Sequence, residues 1–210
     1  MRRSASIAAA IAAAAVTPAL AGSSEVTISV QNSILRWGQQ ATLTGSIPSA
    51  RAEEKVVIEV KECGLPNADY RSLAWVYTQA GGGWSTDIGT RVTSLIRAVW
   101  GETKSANVKV QQRPYVTVVI RPGNRGQVGV NAIYPFWGKR VSIQVFDKKT
   151  RVWKQVQTVK LTEQGGGGGY VWTSGKFRPK VPKGAQMRGV LSLAQAKPCY
   201  LAGYSAIVQT

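Results

Sequence analysis

The stretch "QQRPYVTVVI" (residues 111–120) decides how the chain divides. Arg113-Pro114 breaks a run of apolar and β-branched residues, because proline fixes its own φ and donates no backbone N–H. Tyr115 to Ile120 then start a new strand pattern. Upstream, "EVTISV", "QQATLTGSI", "EKVVIEVKE", "SLAWVYTQA", "SLIRAVW" and "SANVKVQ" alternate or run apolar, with Gly, Pro, Asn and Ser in the gaps. Downstream, "YVTVVI", "QVGVNAIY", "KRVSIQVF", "VWKQVQTVKL", "YVWTSGKF", "RGVLSLAQ" and "YSAIVQT" do the same. No segment carries a helical apolar stripe three turns long.

The two sets align. "GQQATLTGSI" matches "GQVGVNAIYP", "KVVIEVKE" matches "RVSIQVFD", "GGGWST" matches "GGGYVWTS" and "SLIRAVWG" matches "MRGVLSLA". About seven short strands in roughly 90 residues is the size of an immunoglobulin-like sandwich. The expected fold is therefore all-β, two tandem sandwiches, with domains at 22–113 and 114–210; a single larger barrel is the alternative. Trp37-Gly38 and Trp137-Gly138 fall at different places in the repeat, so they are not one motif. The run Gly165–Gly169 is expected to be a mobile loop between strands of the second domain. No Lys-Ser/Thr leading into a helix follows it, as a phosphate-cradling loop would need.

The succession "WGQQATLTG", "VVIEVKECG", "GGGWST", "IRAVWGETKSANVKV", then "GKRVSIQVF" and "YLAGYSA", resembles the tandem Ig-like repeats of secreted actinobacterial proteins over 25–210. The resemblance rests on packing and turn residues. It implies fold and compartment, and it brings no activity with it.

Residues 1–21, "MRRSASIAAAIAAAAVTPALA", read as a signal peptide: Arg2-Arg3, a short apolar run, and an Ala19-Leu20-Ala21 cleavage site. No later apolar run is long enough to span a bilayer. A secreted or cell-surface protein is expected, with Cys63 and Cys199 oxidised; two free thiols are the alternative. Strand counting puts Cys63 at the pole of the first domain that faces the second, and Cys199 at the facing pole of the second. A Cys63–Cys199 bridge across the boundary is expected.

Catalytic chemistry is not. The chain has no histidine, and eight of its ten acidic residues lie in the first domain. Glu59 and Glu62 read as flanking strand ends, with Asp87 in a turn. A cryptic hydrolase would need two carboxylates facing across a cleft, and solvated faces or turn caps fit these residues better. No run of Asp and Asn suits calcium, and two cysteines do not make a zinc site; no metal and no cofactor are expected. Trp75, Trp84, Trp153 and Trp172 are expected in the cores. Trp37, Trp100 and Trp137 lie at strand ends and are the candidates for stacking on a glycan.

Charge divides unevenly. The formal net charge of +17 falls to +15 without Arg2 and Arg3. Residues 22–113 hold 10 Lys+Arg against 8 Asp+Glu, whereas 114–210 hold 15 against 2. Such an excess on one small domain attracts polyanions. Lys148, Lys149, Arg151 and Lys154 follow the third strand of that domain; Lys176, Arg178, Lys180 and Lys183 follow the fifth. Both loops are expected at the pole farthest from the first domain. The expected function is a non-catalytic binding or structural module, monomeric, associating with an anionic cell-wall or extracellular polymer. Carbohydrate recognition by exposed aromatics is the alternative. Trp153 and Phe177 alone are too few for specific nucleic-acid reading.

Overall fold

The computed structural model describes residues 25–65 and 69–210. The signal peptide read at 1–21 lies outside the described residues. The first half holds β1 (Ser29–Gln31), β2 (Ile34–Leu35), β3 (Ala41–Ser46), β4 (Lys55–Glu62), β5 (Arg71–Tyr77), β6 (Gly83–Ile88), β7 (Ser94–Trp100), β8 (Thr103–Lys104) and β9 (Val108–Gln112). The second holds β10 (Tyr115–Arg121), β11 (Arg125–Ala132), β12 (Arg140–Asp147), β13 (Val152–Lys160), β14 (Glu163–Gly167), β15 (Tyr170–Phe177) and β16 (Gln186–Leu191). A single helical turn, α1 (Leu193–Ala196), then precedes β17 (Gly203–Tyr204) and β18 (Val208–Gln209).

Alternation decides which face each strand buries. In β4, Val56, Ile58 and Val60 point inward and Lys55, Val57 and Glu59 do not. The sheet β1-β3-β6 faces the sheet β2-β9-β7-β4-β5, and Leu35, Leu43, Ile58, Ile96 and Val110 fill the space between them with Trp84. In the second half, β10-β11-β15-β14 faces β13-β12-β16-β17, with β18 also on β16. Val128, Ile143, Leu161, Met187 and Leu191 form its core. Each such side chain contributes roughly 1.5–3 kcal/mol by leaving water. Each half is an immunoglobulin-like β-sandwich.

The internal alignment reappears as pairing. β3 pairs with β6 as β11 pairs with β15, and β4 pairs with β7 as β12 pairs with β16. Even the irregularity repeats: the register shifts at Ile58/Glu59 in β4 and at Ile143/Gln144 in β12, the matched positions of the two repeats.

Four expectations need correction. Gly165–Gly169 is not a loop as a whole: Glu163–Gly167 is strand β14, paired with β15 from Glu163↔Ser174 to Gly167↔Tyr170. Gly168 and Gly169 form the two-residue turn at φ +63° and +78°, the left-handed pair that a type I′ hairpin requires. Trp75, expected in a core, is 63% exposed. Its neighbours Ala74 and Val76 on β5 pack on the core instead, so alternation turns Trp75 outward, where Lys55 lies 5.3 Å from its ring. Asp87 lies within β6 rather than in a turn, and Glu59 lies inside β4 rather than at its end.

The halves meet closely. Cys63 and Cys199 are bonded, with Cα atoms 5.3 Å apart. Around the bridge, Thr93 N donates to Cys199 O and Leu201 N to Gln112 O. Tyr134 Oη donates to Cys63 O at 2.9 Å, and Arg113 donates to the Ala202 carbonyl. Val92, in the connection between β6 and β7, is fully buried in the core of the second half.

Candidate functional site

The strongest concentration of charge forms at the end of the second half away from the bridge. β10 leaves the junction at Pro114, so the turn Pro122–Asn124 after it lies at the far pole. The loop 178–185 between β15 and β16 reaches the same place, and Asn124 Nδ2 donates to Pro179 O at 3.0 Å. Val145 pairs with Met187, which sets the turn 148–151 after β12 beside the end of that loop. All eight sequence-named cations are exposed and stand at or near this pole.

They do not form one site. Lys176 and Arg178 line a groove of about 750 Å³ together with Arg121, Arg125, Gln127 and Glu163. Lys148, Lys149, Arg151 and Lys154 belong to the β12–β13 turn on the other sheet, and Lys180 and Lys183 lie in the loop between. Two of the eight are neutralised locally. Lys154 Nζ is 2.6 Å from Asp147 Oδ2, and Lys176 Nζ is 2.6 Å from Glu163 Oε1. The Lys154 bond, helped by the Thr150 hydroxyl and the backbone N–H groups of Lys149 and Thr150, holds the Asp147 carboxyl far below the usual carboxylate range. Lys176, and after it Ser174, lowers Glu163. Both acids of the second half are therefore paired.

Arg121 and Arg125 were missed by the sequence reading. The signal was there, in "RPGNR": a three-residue turn makes its flanking residues a register pair, Arg121↔Arg125, and so brings them side by side. The turn follows the first strand of the half, so alternating strand direction sets it at the same pole as the loops after the third and fifth.

The three tryptophans named for glycan stacking do not share a platform. Trp37, 41% exposed, already packs against other rings: its ring centroid is 4.2 Å from Tyr170 and 6.0 Å from Tyr115, both in the second half and both tilted to it. Trp100 ends β7 at the pole away from the bridge, and its Nε1 donates to Glu54 Oε2. Trp137 is 59% exposed, in the turn before β12. Of the core four, Trp84 is buried, while Trp153 and Trp172 are half-buried.

The carboxylates weighed for catalysis are paired with cations or hydroxyls. Arg97 binds Glu59 at 2.7 Å, Arg71 binds Glu62 at 2.9 Å, and Thr42 Oγ1 donates to Asp87. Among the described residues no group of three or more His, Cys, Asp or Glu could hold a metal ion. No helix among them is long and apolar enough to cross a membrane.

No protein-family model matches the sequence, and no curated protein matches it. Among solved structures the chain is similar to bovine butyrophilin, at 9% identity and a TM-score of 0.31, over 88% of this chain and 98% of that one. At that level the assignment of the fold rests on strand order and the two cores, not on the likeness.

Proposed function

We propose that this is an exported, non-catalytic module of two immunoglobulin-like domains, 22–113 and 114–210, that holds on to an anionic polymer of the cell envelope or its surroundings. Residues 1–21 act as its signal peptide, in keeping with the resemblance to secreted tandem Ig-like repeats. The observation that carries the reading is the groove lined by Arg121, Arg125 and Arg178, in which the one carboxylate, Glu163, is already paired with Lys176. An arginine offers five donors in a planar fork suited to phosphate or carboxylate. Several arginines around one groove can follow a polymer's charges, while Lys148, Lys149, Lys180 and Lys183 raise the local potential.

A polyglycerol-phosphate teichoic acid is the probe for this reading. Binding should fall as salt rises. The variant Arg121→Ser/Arg125→Ser/Arg178→Ser should lose affinity and reduce the log–log salt slope by roughly 0.7 for each charge removed. Unchanged binding and slope in a folded variant would end the proposal.

A second reading has its own observation: Trp75 and Tyr77 stand exposed two residues apart on β5, on one face. That spacing suits stacking on a sugar chain. Neutral glycans in the same assay separate the two readings, since stacking on sugars would be nearly indifferent to salt.

A further inference from the structure

Each sandwich has a seam where its first strand meets its last. In the first half the chain closes the seam itself. β1 pairs with β3 in one sheet, Asn32 turns the backbone at φ +57°, and β2 then pairs parallel with β9 in the other sheet. In the second half the first strand never crosses. β10 stays on β11 for seven residues with no register shift, and among the described residues it has no strand on its other edge. The strands facing it, β17 and β18, are two residues each. They are separated where Ser205 N donates to Gly189 O and Gly189 N donates to Ser205 Oγ. What remains between them is a groove of about 890 Å³.

An open edge of this kind is unusual. A long, regular, apolar edge strand invites another strand, and proteins commonly blunt it with a charge, a proline or a bulge. From Tyr115 to Ile120 β10 has none of these. Tyr115 and Val119 are 48% and 47% exposed, and Ile207 across the groove is 57% exposed.

The rim has one sign of charge. Arg36, Arg113 and Arg188 line the groove, and no Asp or Glu does. Two of these arginines are held by rings. Arg188 lies 4.3 Å from the Trp153 ring and 5.5 Å from Tyr204, and Arg113 lies 5.8 Å from the same tyrosine. Arg113 donates to Ala202 O and Arg188 to Gln144 Oε1, which leaves most of each guanidinium's donors for a ligand. Guanidiniums already held by rings and hydrogen bonds lose little further freedom on meeting a carboxylate.

We propose that this seam is a docking slot for an extended acidic segment of a partner protein. The segment pairs its backbone with the free edge of β10 and sets its carboxylates against Arg36, Arg113 and Arg188. In the first half a short extended segment, β2, lies at the equivalent seam, although there it pairs with the last strand, β9, and not with the edge of the first. Main-chain bonds give the affinity and alternate side chains the selectivity. A second copy of this chain fits badly, because it would bring the same arginines to the same rim.

Seven residues span about 23 Å of strand, which sets the length of the probe. The full chain would be titrated with fluorescein-labelled acetyl-Glu-Val-Glu-Val-Glu-Val-Glu-amide and with its lysine counterpart. The acidic peptide is expected to bind about tenfold tighter or better and to slow hydrogen exchange at residues 115–121. Peptides N-methylated at alternate amides, in both frames, separate strand pairing from simple charge attraction at the basic pole. One frame should lose about tenfold in affinity, as should Arg188→Glu in a protein of unchanged melting temperature. Equal binding of the two peptides, or none, would overturn the proposal. So would affinity that survives both methylated frames, no slowing at 115–121, or self-association that already protects those residues.

Discussion

Gly64 shows how little room the junction leaves. It follows Cys63 at φ +85°, and a Cβ built there would stand 2.8 Å from the Tyr134 ring. Gly64→Ala must therefore strain the backbone and push aside the tyrosine that bonds Cys63 O. A loss of about 1–3 kcal/mol is expected, read as a lower urea midpoint with unchanged slope. Tyr200 carries a pH signature. Burial, the largest influence, pushes its phenol up to about 12, although Ile133 N donates to its oxygen at 3.1 Å. Burial also raises Tyr134, with the Glu62 charge adding to it. In the unfolded chain both phenols ionise near pH 10. Between there and pH 12 the unfolded state therefore binds fewer protons than the folded one, and stability falls as pH rises. Urea midpoints should be steady from pH 8 to 9 and drop steeply from 10 to 12; Tyr200→Phe should flatten that drop. An equal slope in the variant would assign the alkaline loss elsewhere.

The hairpin β14–β15 is the element with the least sequence signal and a large structural consequence. Five glycines in a row offer no side chain to pack, so composition alone reads as linker. Pairing with β15 supplies the order instead, and the turn at Gly168-Gly169 delivers Tyr170 to the first half. There its ring lies 4.2 Å from Trp37 and 4.8 Å from the Arg91 guanidinium. The hairpin is thus a brace between the halves. Tyr170→Ala should cost about 1–2 kcal/mol through the lost ring and cation contacts and shift Trp37 fluorescence toward that of a solvated indole. An unshifted spectrum would mean that Trp37 owes its environment to Tyr115.

At the scale of the molecule, the Cys63–Cys199 bond closes a loop of 136 residues. On the chain-entropy model so long a loop restrains the unfolded chain by several kcal/mol, with typical measured effects of about 2–4 kcal/mol. Cys63→Ser/Cys199→Ser is expected to lose stability in that range. The halves should nonetheless keep their relative orientation, because the backbone bonds at Thr93 and Leu201, the Arg113 contact and buried Val92 do not depend on the sulfurs. Residual dipolar couplings from both halves would test this; independent tumbling in the double variant would show that the disulfide alone sets the angle.

What the amino-acid order determined by itself was everything carried by local period. Alternation at two residues named the strands, and the Arg113-Pro114 break marked the restart. Matched segments such as "KVVIEVKE" and "RVSIQVFD" marked equivalent strands with the same inward face, because one apolar pattern can bury only one face of a strand. Counting strands from end to end even brought two distant cysteines to one junction. Tertiary structure alone decided matters that depend on which strand lies beside which. Trp75 faces water because inward Ala74 and Val76 flank it, a one-residue difference that apolar composition cannot register. Trp37 lies against Tyr170 because a glycine hairpin, with no apolar signal of its own, reaches across the junction. Arg121 and Arg125 join Lys176 and Arg178 only because β10, β11 and β15 are neighbours in one sheet. The seam beside β10 stays open for a related reason. Local sequence specifies a strand and its inward face, but its edge partners are set by pairings between residues far apart in the chain.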